Sequence, residues 1–149
     1  MSEMCKTTSA EETIACAHTF AGRLRRGDVV ALYGDLGSGK TQFVKGVCLA
    51  FKTPTHATSP SYVILNRYNG IDERKRELLL YHFDLYRVKS LAEIYDLGYE
   101  EFLQGDGICF IEWAEMLGQL LPKQRYDVRF SLGEYENERH IEIAGVGQQ

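Results

Sequence analysis

Gly34-Asp35-Leu36-Gly37-Ser38-Gly39-Lys40-Thr41 is a complete G-x-x-x-x-G-K-[ST] loop, the P-loop pattern, and its reading decides the fold. Glycine lets the chain turn tightly and approach a phosphate with no Cβ in the way. Successive backbone N–H groups then converge on one concavity and form an anion nest. The Lys40 ammonium reaches the β- and γ-phosphates as a point charge, and the Thr41 hydroxyl is placed to ligate Mg²⁺. Such a loop needs a buried strand before it and a helix after it. Val29-Val30-Ala31-Leu32-Tyr33 is a short apolar, β-rich run, and from Thr41 to Phe51 the residues Phe43, Val44, Val47, Cys48 and Phe51 recur at helical spacing. That helix turns the positive end of its dipole toward the same phosphates. A plain glycine-rich turn between strand and helix would require neither three glycines nor the Lys-Thr pair.

Working outward, 149 residues predict one domain, 1–149, large enough for a real core. An apolar fraction of 44% and a charged fraction of 26% are those of a soluble globular protein. No apolar run is long enough to predict a membrane span. Met1-Ser2-Glu3-Met4-Cys5-Lys6 lacks the basic and apolar regions of a secretory signal. Cys5, Cys16, Cys48 and Cys109 are scattered without C-x-x-C spacing, which argues against a zinc site or a redox pair and predicts a reducing, cytoplasmic setting. The net charge of −4 argues against strong direct nucleic-acid binding. The two dense basic runs, Arg23-Leu24-Arg25-Arg26 and Arg74-Lys75-Arg76, read as solvated surface, the first closing a helix and the second in a hairpin loop.

Ser9-Ala10-Glu11-Glu12 is a capping box, and Ile14, Ala17, Ala21 and Leu24 mark one face of the helix it opens, with Gly27 as the stop signal. The hydroxyl-rich, proline-punctuated segment 53–62 is either a connector or a switch segment that senses the γ-phosphate. Tyr62 to Tyr68 and Leu78 to Asp84 predict an antiparallel hairpin joined from Asn69-Gly70 to Glu77. Ser90 to Asp96 predicts a short helix, and Gly98 to Leu103 a further helical turn. Gly107-Ile108-Cys109-Phe110-Ile111-Glu112 suits a central parallel strand covered on both faces. Glu112 then stands at its carboxyl end beside the P-loop, and Asp84 ends a neighbouring apolar strand. With a P-loop present, two such strand-end acids point to Mg²⁺ chemistry. Trp113 is a core residue, a cover for the site or a partner anchor. Ala114 to Leu121 predicts a helix, Arg125 to Leu132 and Arg139 to Ala144 a last pair of strands, and 145–149 a frayed tail.

Four blocks together resemble the bacterial TsaE family, also called YjeE: the P-loop; Ser59-Pro60-Ser61-Tyr62; His82-Phe83-Asp84-Leu85-Tyr86-Arg87; and Gly107 to Trp113. The resemblance covers nearly the whole chain, and the H-F-D-L-Y-R block is its most specific part. It implies an ATP-binding and -hydrolysing subunit of tRNA threonylcarbamoyladenosine biosynthesis that works with the proteins TsaD and TsaB. Such a subunit resets the complex and does not transfer the threonylcarbamoyl group, and tRNA meets it only through that complex. By the same resemblance Gly34 to Thr41 hold nucleotide, Thr41, Asp84 and Glu112 hold Mg²⁺, and Lys40, Asp84 and Glu112 serve the chemistry. Trp113 lies beside the site, Ser59 to Tyr62 match the switch region, and Ser9 and Arg139 lie near the nucleotide. The chain departs from the family pattern at Ser38, Ser61 and Ala114, where alanine, threonine and proline are usual, and its charged stretch from Asp72 to Glu77 is longer than in some relatives.

The expected fold is an α/β, mostly parallel P-loop sheet flanked by helices, with antiparallel strands added by the hairpin and the C-terminal pair. The expected activity is slow Mg²⁺-dependent ATP hydrolysis gated by a partner, with Arg67 and Arg87 as the in-chain candidates for an arginine finger. A small-molecule kinase would need an acceptor pocket and an arginine-bearing lid. A GTP switch would need an N-K-x-D motif, which the sequence lacks. A nucleotide-controlled scaffold would differ only in its lack of turnover.

Overall fold

In the computed structural model, which describes residues 2–35, 37–53 and 64–147, the chain runs in order through seven strands and four α-helices. These are β1 (Ser2–Thr7), α1 (Ala10–Ala21), β2 (Val29–Tyr33), α2 (Lys40–Ala50), β3 (Leu65–Ile71), β4 (Glu77–Asp84), α3 (Leu91–Asp96), α4 (Tyr99–Gln104), β5 (Ile108–Glu112), β6 (Arg125–Leu132) and β7 (Arg139–Val146). The strands form one sheet in the order β1-β7-β6-β2-β5-β4-β3. The pairings β6–β2, β2–β5 and β5–β4 are parallel, and β1–β7, β7–β6 and β4–β3 are antiparallel. The expected α/β class is therefore present as a parallel centre with antiparallel edges. Among the described residues no helix is long and apolar enough to cross a membrane.

Alternation along the strands splits the core into two layers. Val30, Leu32, Leu80, Ile108, Phe110 and Val128 pack under α1 and α2. Val29, Ala31, Phe83, Cys109 and Ile111 face Ile94 of α3 and Tyr99 of α4. With both faces covered, β5 is buried at every residue, and β2 at all but Tyr33. Both strands therefore read as unbroken apolar runs.

The two helices above the P-loop cross closely at Gly46, where an added Cβ would lie 2.4 Å from the Ile14 carbonyl oxygen and 2.7 Å from Ala17 Cβ. Alanine would gain roughly 1 kcal/mol of helix propensity. The clash with backbone cannot be relieved by a side-chain rotation, so overpacking of about 1–3 kcal/mol outweighs that gain. We predict that Gly46→Ala lowers the melting temperature by several degrees in calorimetry, and an unchanged value would show that the crossing opens without cost.

The structure corrects several local expectations. Helix α1 stops at Ala21, with Gly22 as its C-cap, and Gly27 instead makes the turn into β2 at φ 86°. The basic run 23–26 therefore lies beyond the helix, and Arg26 donates to Asp72 Oδ2 at 2.8 Å and to the Glu77 carbonyl at 2.7 Å. Asn69-Gly70 lies inside β3, where Gly70 leaves room for the Phe51 carbonyl, 2.9 Å from where a Cβ would stand. The hairpin turn is 72–76, closed by the Asp72 carboxylate accepting from the Arg74 and Arg76 amides at 2.9 Å each. The Arg26 guanidinium, followed by the Arg76 amide, holds the Asp72 carboxyl well below the usual carboxylate range. The charged stretch thus organises its own turn. Residues 114–121 form two 3-10 turns, Ala114–Met116 and Gly118–Leu120, because Trp113 and Gly118 take left-handed φ values of 60° and 53°. The C-terminal segment is not frayed through Val146, which pairs with Arg125.

The β6–β7 turn closes on Glu138, which is 4% exposed. Its carboxylate pairs with Lys6 of β1 at 2.9 Å, accepts the Glu134 amide at 2.7 Å and meets His140 at 3.2 Å. Lys6 and then the Glu134 amide hold its pKa down from 4.5 to about 2. A depressed folded-state value gives stability that is full above the unfolded pKa and is lost as pH falls toward the folded one. We predict that the wild type loses stability between pH 4.5 and 2 more steeply than Glu138→Gln, read from denaturant midpoints. Parallel pH curves would remove Glu138 as the source.

Candidate functional site

The P-loop turns off the end of β2 at Gly34, whose φ of 151° and crowding decide the residue: a Cβ there would lie 2.7 Å from Ser38 Oγ and 3.0 Å from Phe130. Gly39, at φ 107°, is the N-cap of α2 and contributes no side-chain cap. The first N–H groups of that helix are thus left for a partner other than a capping side chain. The Ser38 hydroxyl is buried in the same loop and has no hydrogen-bond partner among the described residues. Uncapped amides, an orphaned hydroxyl and a lysine fit a phosphate chain. Leu36 lies outside the described residues, and Asp35 is exposed with its carbonyl accepting the Ser38 amide.

Lys40 opens α2 and is 5% exposed. Its ammonium donates to the Gly34 carbonyl at 2.5 Å and sits 3.9 Å from the centre of the Trp113 ring, a cation–π contact. Burial pushes the Lys40 pKa down, and Glu112, Glu115, Asp84 and Asp35 oppose that shift. Trp113 holds its place by a left-handed backbone, a strained state for a non-glycine residue. Its ring packs on Tyr86 with centroids 4.9 Å apart. Of the three roles open to Trp113, the geometry puts it over the P-loop lysine.

Parallel register aligns three strand ends, with Leu32 of β2 beside Glu112 of β5 and Glu112 beside Asp84 of β4. Side-chain alternation puts both acids on the α2 face, in phase with Phe110 and Leu80. Glu112 is 3% exposed, and its Oε2 meets His82 Nε2 at 2.5 Å. Asp84 is half-buried and accepts the Tyr86 amide at 3.0 Å. Thr41 stands in the first turn of α2. A hydroxyl and two carboxylates are hard oxygen donors that suit Mg²⁺, which takes one or two protein carboxylates and fills its octahedron with phosphate oxygens and water. Among the described residues no group of three or more His, Cys, Asp or Glu forms a fuller metal cage.

On the other side of the loop lies a cleft of about 350 Å³ lined by Ser9, Thr13, Gly37, Gly39, Asn137 and Arg139 among others. Arg139 donates to the Gly37 carbonyl at 3.2 Å and to the Glu136 and Glu138 carbonyls at 2.8 and 2.9 Å. Ser9 lines the cleft while its hydroxyl accepts the Glu12 amide at 3.1 Å as the α1 cap. Both residues expected near a nucleotide therefore border the P-loop. The expected switch residues Ser59 to Tyr62 lie outside the described residues. Arg67 is paired with Tyr81 and so sits out of phase with His82, and Arg87 is exposed in the turn after β4. The sequence placed His82 in the H-F-D-L-Y-R block but gave it no role of its own. Its signal was a histidine within an apolar strand, two positions before Asp84 and in phase with it.

The family described as "Threonylcarbamoyl adenosine biosynthesis protein TsaE" matches residues 7–141. The tRNA threonylcarbamoyladenosine biosynthesis protein TsaE of Bacillus subtilis (strain 168) is 37% identical over 145 residues, covering 97% of this chain and 86% of that protein. The protein of the same name from Treponema pallidum (strain Nichols) is 39% identical over 128 residues, covering 86% and 89%. The crystal structure of YdiB from Bacillus subtilis superposes with a TM-score of 0.77 at 33% identity, covering 99% of this chain and 87% of that one. Family match, sequence identity and superposition agree, and the chain belongs to the TsaE family.

Proposed function

We propose that this chain is a single-domain, cytoplasmic P-loop ATPase required for tRNA threonylcarbamoyladenosine modification. It acts with TsaD and TsaB through a Mg²⁺-dependent, partner-gated cycle, and does not itself transfer the threonylcarbamoyl group. The pathway is supported by the names of the relatives. The chemistry is supported by one observation above all: a buried lysine at the mouth of an uncapped helix, under Trp113, with Glu112 and Asp84 at the adjoining strand ends.

In this reading the loop amides and Lys40 bind the β- and γ-phosphates and stabilise the charge that develops on the transferring phosphoryl group. Glu112 or Asp84 orients the attacking water. Its oxygen bonds to the γ-phosphorus as the bond to the bridging oxygen breaks, yielding ADP and phosphate. Thr41, Asp84 and Glu112 would hold Mg²⁺, which would supply Lewis-acid neutralisation of the phosphate oxygens. Trp113 shields Lys40 from water on one side, which strengthens its field in the site. Ser9 and Arg139 border the cleft in which the remainder of the nucleotide lies.

Hydrolysis by the chain alone is expected to be slow and raised by a partner. Phosphate release from ATP-Mg²⁺ is the test, with and without TsaD–TsaB. The expected result is slow release alone, stimulation of about ten-fold or more by the pair, and loss in Lys40→Ala. Tight ATP binding without release under any condition would overturn the ATPase in favour of a nucleotide-controlled scaffold. Transfer to a small acceptor in place of phosphate release would make it a kinase.

A further inference from the structure

His82 lies fully buried in β4, on the face that packs under α1 and α2, and its Nε2 is 2.5 Å from Glu112 Oε2. The two residues come from neighbouring strands, 30 positions apart, and are diagonal in the register: His82 is paired with Phe110, and Glu112 with Asp84. The second imidazole nitrogen, Nδ1, is buried and has no hydrogen-bond partner among the described residues. Tyr68, Leu80 and Phe110 belong to the same apolar cluster around that face.

These facts select one arrangement. The Glu112 carboxylate is an acceptor, so Nε2 carries the proton and donates it. Nδ1 is then a bare lone pair, which costs less to bury unpaired than an N–H would in apolar surroundings. A core could have filled this space with an apolar pair at no loss of stability. The polar pair is instead spent on the acid beside Lys40, and it engages one carboxylate oxygen only. The other, Oε1, is left for the site.

We propose that His82 is a positioning residue for ATP hydrolysis: its Nε2–H fixes the rotamer of Glu112 and so aims Oε1 at the mouth of the P-loop. This rests on the ATPase reading above. His82 is fully buried. It acts by holding Glu112, as outer partners hold ligating carboxylates elsewhere.

The test uses the full chain with TsaD–TsaB and ATP-Mg²⁺, in wild type, His82→Leu and His82→Gln. Leucine fills the space without a donor, and glutamine carries an amide N–H to the place of Nε2. We expect kcat to fall about ten-fold or more in His82→Leu with KM for ATP within about threefold, and glutamine to restore most of it, as a loss confined to the transition state requires. In wild type without nucleotide, ¹⁵N spectra of the imidazole should show Nε2 protonated and Nδ1 bare. Wild-type kcat in His82→Leu would overturn the proposal, as would kcat and KM failing together with no rescue by glutamine. If leucine prevents folding, His82→Gln and the imidazole spectrum still decide. An Nε2 without a proton in an enzyme that turns over would remove the positioning role alone. Wild type that releases no phosphate would remove the ATPase reading and the positioning role together.

Discussion

Lys40→Ala is expected to abolish ATP turnover while leaving the protein folded. The Lys40 ammonium stands at the mouth of the loop, 2.5 Å from the Gly34 carbonyl and under the Trp113 ring. Removing a preorganised charge from a transition-state site costs about 10²–10³ in kcat, or roughly 3–4 kcal/mol. Its effect on stability runs the other way. Burial already pushes its pKa down, so the folded chain holds this cation at a cost. The variant should therefore melt at the wild-type temperature or slightly above. The informative experiment pairs phosphate release with calorimetry on the same sample. Turnover at the wild-type rate in the variant would remove Lys40 from the chemistry, and a collapse in melting temperature would make the loss of activity uninformative.

Glu112 is expected to give the second large effect, and here two substitutions separate chemistry from structure. Glu112→Ala removes the acid and also strands the buried His82 Nε2, which loses its partner at 2.5 Å. An unmet buried donor costs about 1–3 kcal/mol. The alanine variant should therefore lose both turnover and stability. Glu112→Gln keeps an oxygen that can accept from Nε2 and removes only the charge. It should melt close to wild type, bind ATP through Lys40 and the loop amides, and still fall by roughly two orders of magnitude or more in kcat. Phosphate release and nucleotide titration, followed through Trp113, the chain's single tryptophan, would report both. A glutamine variant that hydrolyses ATP at the wild-type rate would show that this strand-end acid does no chemistry.

Much of this site was legible in the sequence because its determinants are local. The strand–loop–helix unit from Val29 to Ala50 depends on an apolar run, three glycines and helical spacing that adjoin one another. The buried strand Ile108–Glu112 declared itself by the absence of alternation, and its acid by standing at the end. Where local signals were ambiguous, longer-range contacts chose. Asn69-Gly70 has the chemistry of a turn but pairs inside β3, because Asp72 closes the hairpin further on and Arg26 ties that turn to the segment after α1. The expected helix over 114–121 became two 3-10 turns because Trp113 is held in a left-handed state against Lys40 and Tyr86.

The residues alone determined a P-loop between a buried strand and a helix, two strand-end acids and a parallel core, since propensity, periodicity and motif spacing act over a few neighbours. Only the tertiary structure decided the partners. Strand β1 is polar and exposed along most of its length and exists by pairing with β7, Ser2 against Ala144. Arg139 reaches the Gly37 carbonyl from 102 positions away. His82 meets Glu112 only because β4 and β5 run parallel in one register, and Trp113 covers Lys40 only because β5 lies beside β2. Such contacts are set by the packing of whole elements, whose sequence separation leaves no periodicity to read.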